Sequence, residues 1–283
     1  CCRFRVLLIR IASVTMALLP FVSTVDAATE SYIASVLDRI AAEADVRVIF
    51  AVESGSRAWG FPSTDSDYDV RFVYAHRPEW YLALRPGRDV IERPVDAALD
   101  VAGWDIRKAL NQLLKPNPVL LEWLSSPIVY QWDGPATERL LELARRMPFH
   151  GPCLHHYRRQ GIKKWAAAIE GRDPVAYKPY CYVLRPALAL RWCREHPDAP
   201  PPMNVQALVA GLDLDAATLA EIRQLLDVKR GRSEGDTGPR LPRLDAMVAD
   251  VFAWAEGTSK AEPRDDLYLV AEGLFRDLVM GRI

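Results

Sequence analysis

Apolar positions along this chain change period: strands alternate with helices in the first half, and only helical spacing remains in the second. Ile33, Val36, Leu37 and Ile40 recur at helical intervals and predict a helix over 29–44, with Thr29 or Ser31 as its N-cap. The apolar run Val46–Val52 reads as a short buried strand. It enters Glu53-Ser54-Gly55-Ser56, a small-residue turn of the kind that lets backbone N–H groups approach a phosphate. Gly55–Trp59 predicts a short helix start with its N-terminus toward a triphosphate, Trp59 being a packing residue. A polar loop, Phe61–Ser66, leads to a second strand that opens with Asp67 and Asp69. Residues two apart share a face, so these carboxylates point one way and Tyr68 the other.

Further on, Pro78–Leu84 predicts a turn or two of helix and Asp89–Val95 an extended segment. Ala97–Ala102 alternates, with Leu99 and Val101 on one side and Asp100 and Ala102 on the other. Asp105 reads as the N-cap of a helix over Ile106–Leu114, whose Arg107 and Lys108 could reach a phosphate. Asn117–Ser125 predicts another helix, with Pro118 in its first turn, and Pro127–Tyr130 a short strand. After a turn at Trp132–Pro135 the pattern is helical. Pro186 implies a kink or a helix start within Tyr177–Glu195. Leu214–Lys229 is amphipathic, and Leu241–Ala255 and Asp265–Met280 close a bundle. The fold class is therefore α+β. A small mixed-sheet domain over 29–132 precedes a helical domain over 133–283, behind an N-terminal segment 1–28.

That first segment resembles a secretion signal, with Arg3 and Arg5 before the apolar stretch Val6–Val22 and small residues at Val25-Asp26-Ala27. Arg10 interrupts the apolar stretch and Cys stands where a signal would begin with Met. The reading is an upstream extension with initiation nearer Met16, too short and interrupted for a membrane span, on a cytoplasmic protein. Five cysteines without a C-x-x-C pair describe neither a disulfide scaffold nor a thiolate zinc site, and favour a reducing compartment.

A net charge of −1 supplies no global field for nucleic acid, so any such binding needs a local patch. The best one spans Arg145 to Lys164: six Lys/Arg and no Asp/Glu, interleaved with His150, His155, His156 and Tyr157. It suits an RNA or polyphosphate backbone. His150, Cys153, His155 and His156 are metal-ligand types, but their spacing does not suit tetrahedral zinc.

If the strand carrying Asp100 lies beside the strand carrying Asp69, the acids Asp67, Asp69 and Asp100 form a cluster suited to a divalent cation. Gly55-Ser56 followed by Asp67-x-Asp69 resembles the signature of the DNA polymerase beta nucleotidyltransferase superfamily. Four ordered blocks, GSRAWGF, SDYDVRFVY, DVAGWDIRKAL and NPVLLEWLSSPIVY, resemble the RNA-repair ligase-associated nucleotidyltransferases (RlaP), strongly over Val46–Tyr130 and more weakly beyond.

The resemblance implies two Mg²⁺ ions (Mn²⁺ also suits) bridged by Asp67 and Asp69. Asp100 would hold the catalytic ion and take the acceptor's proton. Gly55 and Ser56 would secure the β- and γ-phosphates and Arg57 neutralise them. Lys178 and Arg185, in YKPYCYVLRPALALRWCRE, would contact the nucleotide. Lys229 and Glu234 sit at a similar Lys/Glu pair whose role stays open. The implied activity is template-independent transfer of a nucleotide from NTP to an RNA end. A protein or small-molecule hydroxyl is the alternative acceptor, and a non-catalytic nucleotide sensor the alternative class. Three convergent acids, which repel one another without metal, count against a sensor.

Overall fold

The computed structural model describes residues 20–85, 87–94, 98–115, 117–231, 237–257 and 265–283. Most of the signal-like stretch and Glu234 therefore lie outside the described residues. The first part of the chain runs α1 (Ala27–Ala44), β1 (Val46–Glu53), α2 (Gly55–Trp59), β2 (Tyr68–His76), α3 (Pro78–Tyr81), β3 (Val90–Pro94), β4 (Leu99–Asp105), α4 (Ile106–Leu114), α5 (Val119–Leu124) and β5 (Val129–Trp132). The second part runs α6 (Gly134–Arg145), α7 (His150–Ala168), β6 (Val175–Ala176), α8 (Tyr177–Glu195), α9 (Val205–Gly211), α10 (Ala216–Gly231), β7 (Thr237–Gly238), α11 (Pro242–Trp254) and α12 (Asp265–Val279). The architecture is α+β, and the elements follow the periodicities closely. Helix α1 begins earlier than expected because Asp26, rather than Thr29 or Ser31, caps it, accepting the Thr29 N–H at 2.8 Å. Asp105 caps α4 as its position implies, accepting the Arg107 N–H at 2.8 Å.

The main sheet has the order β3-β4-β2-β1-β5. Strands β2 and β4 are parallel; the other neighbours are antiparallel. Strand β1 is buried on both faces from Val48 to Glu53, which explains the apolar residues at every position from Val48 to Val52. One face of the sheet packs on α1 through Ile33, Val36 and Leu37 against Val48, Phe72 and Val101. The other packs on α4, α5, α6 and α12. A separate core joins α7, α8, α10 and α11.

Helix α12 does not close the helical bundle. Its stripe of Leu267, Ala271, Leu274 and Leu278 lies in the sheet's core, with Ile49, Val73 and Leu140. Amphipathic spacing states that a helix buries one face, not which neighbour covers it. Helix α8 runs through Pro186 without ending and is buried along much of its length. Cys153, Cys181 and Cys193 are buried free thiols, and burial pushes Cys181 and Cys193 up to about 12, so none is a ready thiolate. Among the described residues no helix is long and apolar enough to cross a membrane.

The helical part is joined to the sheet by buried side chains. Trp59 and Phe61, at the end of α2, pack edge-on to Tyr182 of α8 with ring centroids 5.5 and 5.8 Å away. Beneath them Arg185, 1% exposed, pairs with Glu122 of α5, which also accepts the Tyr157 hydroxyl at 2.8 Å. Removing Glu122 strands a guanidinium with no water to solvate it. Glu122→Ala should therefore cost about 3–5 kcal/mol in chemical denaturation. An unchanged midpoint would show that this pair does not hold the two parts together.

Candidate active site

The register of the parallel pair sets Asp69 of β2 directly opposite Asp100 of β4. Partners in register project to the same face, so the two carboxylates stand side by side while Val70 and Val101 enter the core beneath them. Asp67 precedes β2 rather than opening it. It is nonetheless close enough to act on Asp69. Burial raises the Asp69 carboxyl above the usual range, and the charges of Asp100 and Asp67 add to that, against Arg71 and Arg57.

Gly55 lies against this pair. Its φ is +59°, and a Cβ there would fall 1.9 Å from Asp69 Oδ2. The Ser54 N–H donates to the Asp69 carbonyl at 2.8 Å, laying the turn over the start of β2. Only a residue without a side chain allows both the left-handed backbone and the approach.

Two groups at this site carry roles that pattern reading missed. Glu53, the last residue of β1, is fully buried; it accepts the Asp69 N–H at 2.9 Å and the Tyr130 hydroxyl at 2.6 Å. Burial pushes its carboxyl up to about 7. A charged residue ending the apolar stretch Val48–Val52 was its one visible signal. Arg71 is two residues beyond Asp69 and on the same face. Its Nη2 donates to Asp69 Oδ1 at 3.0 Å and to Asp100 Oδ2 at 2.7 Å. Its Nη1 donates to the carbonyls of Val70 and Asp100, at 3.0 and 3.2 Å. The rule that grouped Asp67 with Asp69 applies equally to Asp69 and Arg71.

The expected three-carboxylate cluster is thus a register pair bridged by an arginine, with Asp67 beside it. Among the described residues no group of three or more His, Cys, Asp or Glu side chains is assembled to hold a metal. That includes His150, Cys153, His155 and His156; the His150 ring instead bonds the Cys193 carbonyl at 3.1 Å. Close carboxylates repel unless a proton or a cation neutralises them, and here the guanidinium bridges the pair. The donor chemistry of Asp67, Asp69 and Asp100 still fits a hard divalent ion, which takes carboxylate oxygens.

The other expected ligands divide. Ser56 is buried and donates to Ser66 Oγ at 3.1 Å; Ser66 Oγ lies 3.0 Å from Ser63 Oγ, and Lys229 of α10 donates to Ser63 Oγ at 2.6 Å. Beyond a hydrogen bond from Ser63, the charges of Lys229 and Lys178 help hold the Asp65 carboxyl low. Arg57 does not present its charge to a ligand. It clamps the loop instead, donating to the carbonyls of Ser66 at 2.6 Å and Asp67 at 3.2 Å and to Thr24 at 2.9 Å, over the Tyr68 ring. Arg185 cannot contact a nucleotide from its buried pairing with Glu122. Arg107 stacks over Tyr81, and Lys108 pairs with Asp89 at 3.1 Å. In the basic stretch, His155, Arg159 and Lys163 are exposed on α7, whereas Arg158 is engaged by Glu256 at 3.0 Å.

Comparison with known proteins gives the family. Residues 29–277 match the family described as RlaP: RNA repair pathway DNA polymerase beta family. The YcgL protein of Bacillus subtilis (strain 168) is 42% identical over 212 residues, which cover 75% of this chain and 81% of that protein. A crystal structure of a nucleotidyltransferase-like protein from Exiguobacterium sibiricum 255-15 aligns over 89% of this chain and 75% of its own, at 14% identity and a TM-score of 0.30.

Two outcomes follow from the geometry. Gly55→Ala should lower stability by about 1–3 kcal/mol, measured by denaturant titration, because the backbone is left-handed and Asp69 fills the space. Glu53 titrates near 4.5 when unfolded and near 7 when folded. Between those values the folded state keeps a proton that the unfolded state has lost, so stability falls as pH rises through that window and is level above it. In chelator, Glu53→Gln should flatten this slope and add about 2–3 kcal/mol at pH 8. Parallel pH profiles for the two proteins would contradict it.

Proposed function

The chain belongs to the RlaP family of RNA repair pathway DNA polymerase beta type, and from that premise we propose that it transfers a nucleotide from an NTP to an acceptor hydroxyl at an RNA end. The observation that carries this reading is the Asp69–Asp100 register pair with the bare backbone of Gly55 against it. Nucleotidyl transfer asks a protein mainly to align an acceptor with the α-phosphorus and to neutralise phosphate charge. Asp67, Asp69 and Asp100 would hold Mg²⁺, which supplies that neutralisation when bound.

The chain's own residues do the positioning. The Gly55-Ser56 turn would receive the β- and γ-phosphates on its backbone, and its shape is held by the Ser56–Ser66–Ser63–Lys229 series. Lys178 and Lys229 bring positive charge to the same loop. Glu53 fixes the backbone of Asp69, so the carboxylate cannot drift with the strand end. Asp100 is the more exposed of the register pair, which supports it as the group that would accept the proton of an incoming hydroxyl. The exposed His155, Arg159 and Lys163 on α7 support a phosphodiester acceptor.

The test is incubation with labelled NTPs and Mg²⁺, with RNA or with lysate protein as acceptor. RNA should become labelled, and Asp69→Ala or Asp67→Ala should reduce labelling to background while circular dichroism stays that of the parent. Labelled protein without labelled RNA would move the acceptor to a protein hydroxyl. Retained labelling in both variants would overturn the assignment.

A further inference from the structure

We propose that Arg71 is an internal counter-cation: it holds Asp69 and Asp100 together in the metal-free protein and competes with a divalent cation for the same carboxylate oxygens. The inference rests on the reading of these acids as metal ligands, and goes beyond it by assigning a role to a residue of opposite charge. Three observations carry it. The register forces Asp69 and Asp100 onto one face, so they would repel if unneutralised. Arg71 Nη2 stands between them, 3.0 Å from Asp69 Oδ1 and 2.7 Å from Asp100 Oδ2, making one nitrogen shared by both carboxylates. The guanidinium is tied to that place by a second nitrogen on the carbonyls of Val70 and Asp100.

A divalent ion needs the oxygens that Nη2 now holds, and two cations cannot occupy one gap between two carboxylates without strong repulsion. Nη2 must therefore withdraw when the ion binds. Nη1 has carbonyl partners of its own and can stay as the pivot. Such an exchange keeps the strand ends paired before metal arrives and weakens metal binding in the absence of substrate.

The test uses the full chain stripped with chelator, and Mn²⁺ as the probe, its free concentration read by electron paramagnetic resonance. Arg71→Gln should bind Mn²⁺ roughly tenfold more tightly than the parent, because one positive charge leaves the site. It should also melt at a lower temperature than the parent in chelator, and the gap should narrow at saturating Mn²⁺. Equal or weaker Mn²⁺ affinity in Arg71→Gln would overturn the proposal.

Asp69→Asn and Asp100→Asn should each weaken Mn²⁺ binding. If they do while Arg71→Gln matches the parent, only the counter-cation role fails. If both bind Mn²⁺ as the parent does, the metal site and the nucleotidyl-transfer reading fail together. Should circular dichroism show Arg71→Gln unfolded, Arg71→Lys carries the test. Its compact ammonium cannot serve all four oxygens, so a smaller tightening, about threefold, is expected, and none would overturn the proposal.

Discussion

The structure depends on the parallel pairing of β2 with β4. A parallel neighbour in register puts like positions on like faces, and here the positions are two aspartates. Everything near them answers that concentration of negative charge. Gly55 gives up a side chain to let the turn approach, Glu53 anchors the Asp69 backbone, and Arg71 bridges the carboxylates. An apolar pair at the same two positions would make a more stable sheet end. The site concentrates carboxyl groups whose protonation is displaced from ordinary values, Glu53 and Asp69 both being raised by burial.

The helical part completes the site through contacts of another kind. Lys229 reaches from α10 into the loop between α2 and β2 and ends on Ser63, so the conformation of the Gly-Ser turn is set partly from the second half of the chain. Arg57 performs the matching task from within the first half, binding the loop's carbonyls just before Asp67. Arg185 holds α8 against α5. Arg57 and Arg185, both first read as contacts to the nucleotide or its phosphates, are thus internal fasteners. Long cationic side chains satisfy buried carbonyls and carboxylates as readily as they bind phosphate, and sequence does not separate the uses.

Much of the fold was legible because period and capping are local properties. The apolar run of β1, the alternation ending at Asp100, the Asp105 cap and the apolar stripe of α1 could each be read within a dozen residues. Those local features, with the ordered motif blocks, determined the α+β class, the strands that carry the acids and the family.

Tertiary structure alone decided which elements meet. It placed β4 beside β2 and in a register that opposes Asp69 to Asp100, sent α12 back onto the sheet instead of into the bundle, and buried Glu53 and Lys229 at the loop. It also put Arg71 between the acids, so that a cluster expected to face a metal is bridged by the chain's own cation. The physical reason is common to all of these. A periodic pattern encodes that a face is buried or a charge exposed, whereas its partner is chosen by long-range packing and by the need to neutralise whatever charge that packing brings together.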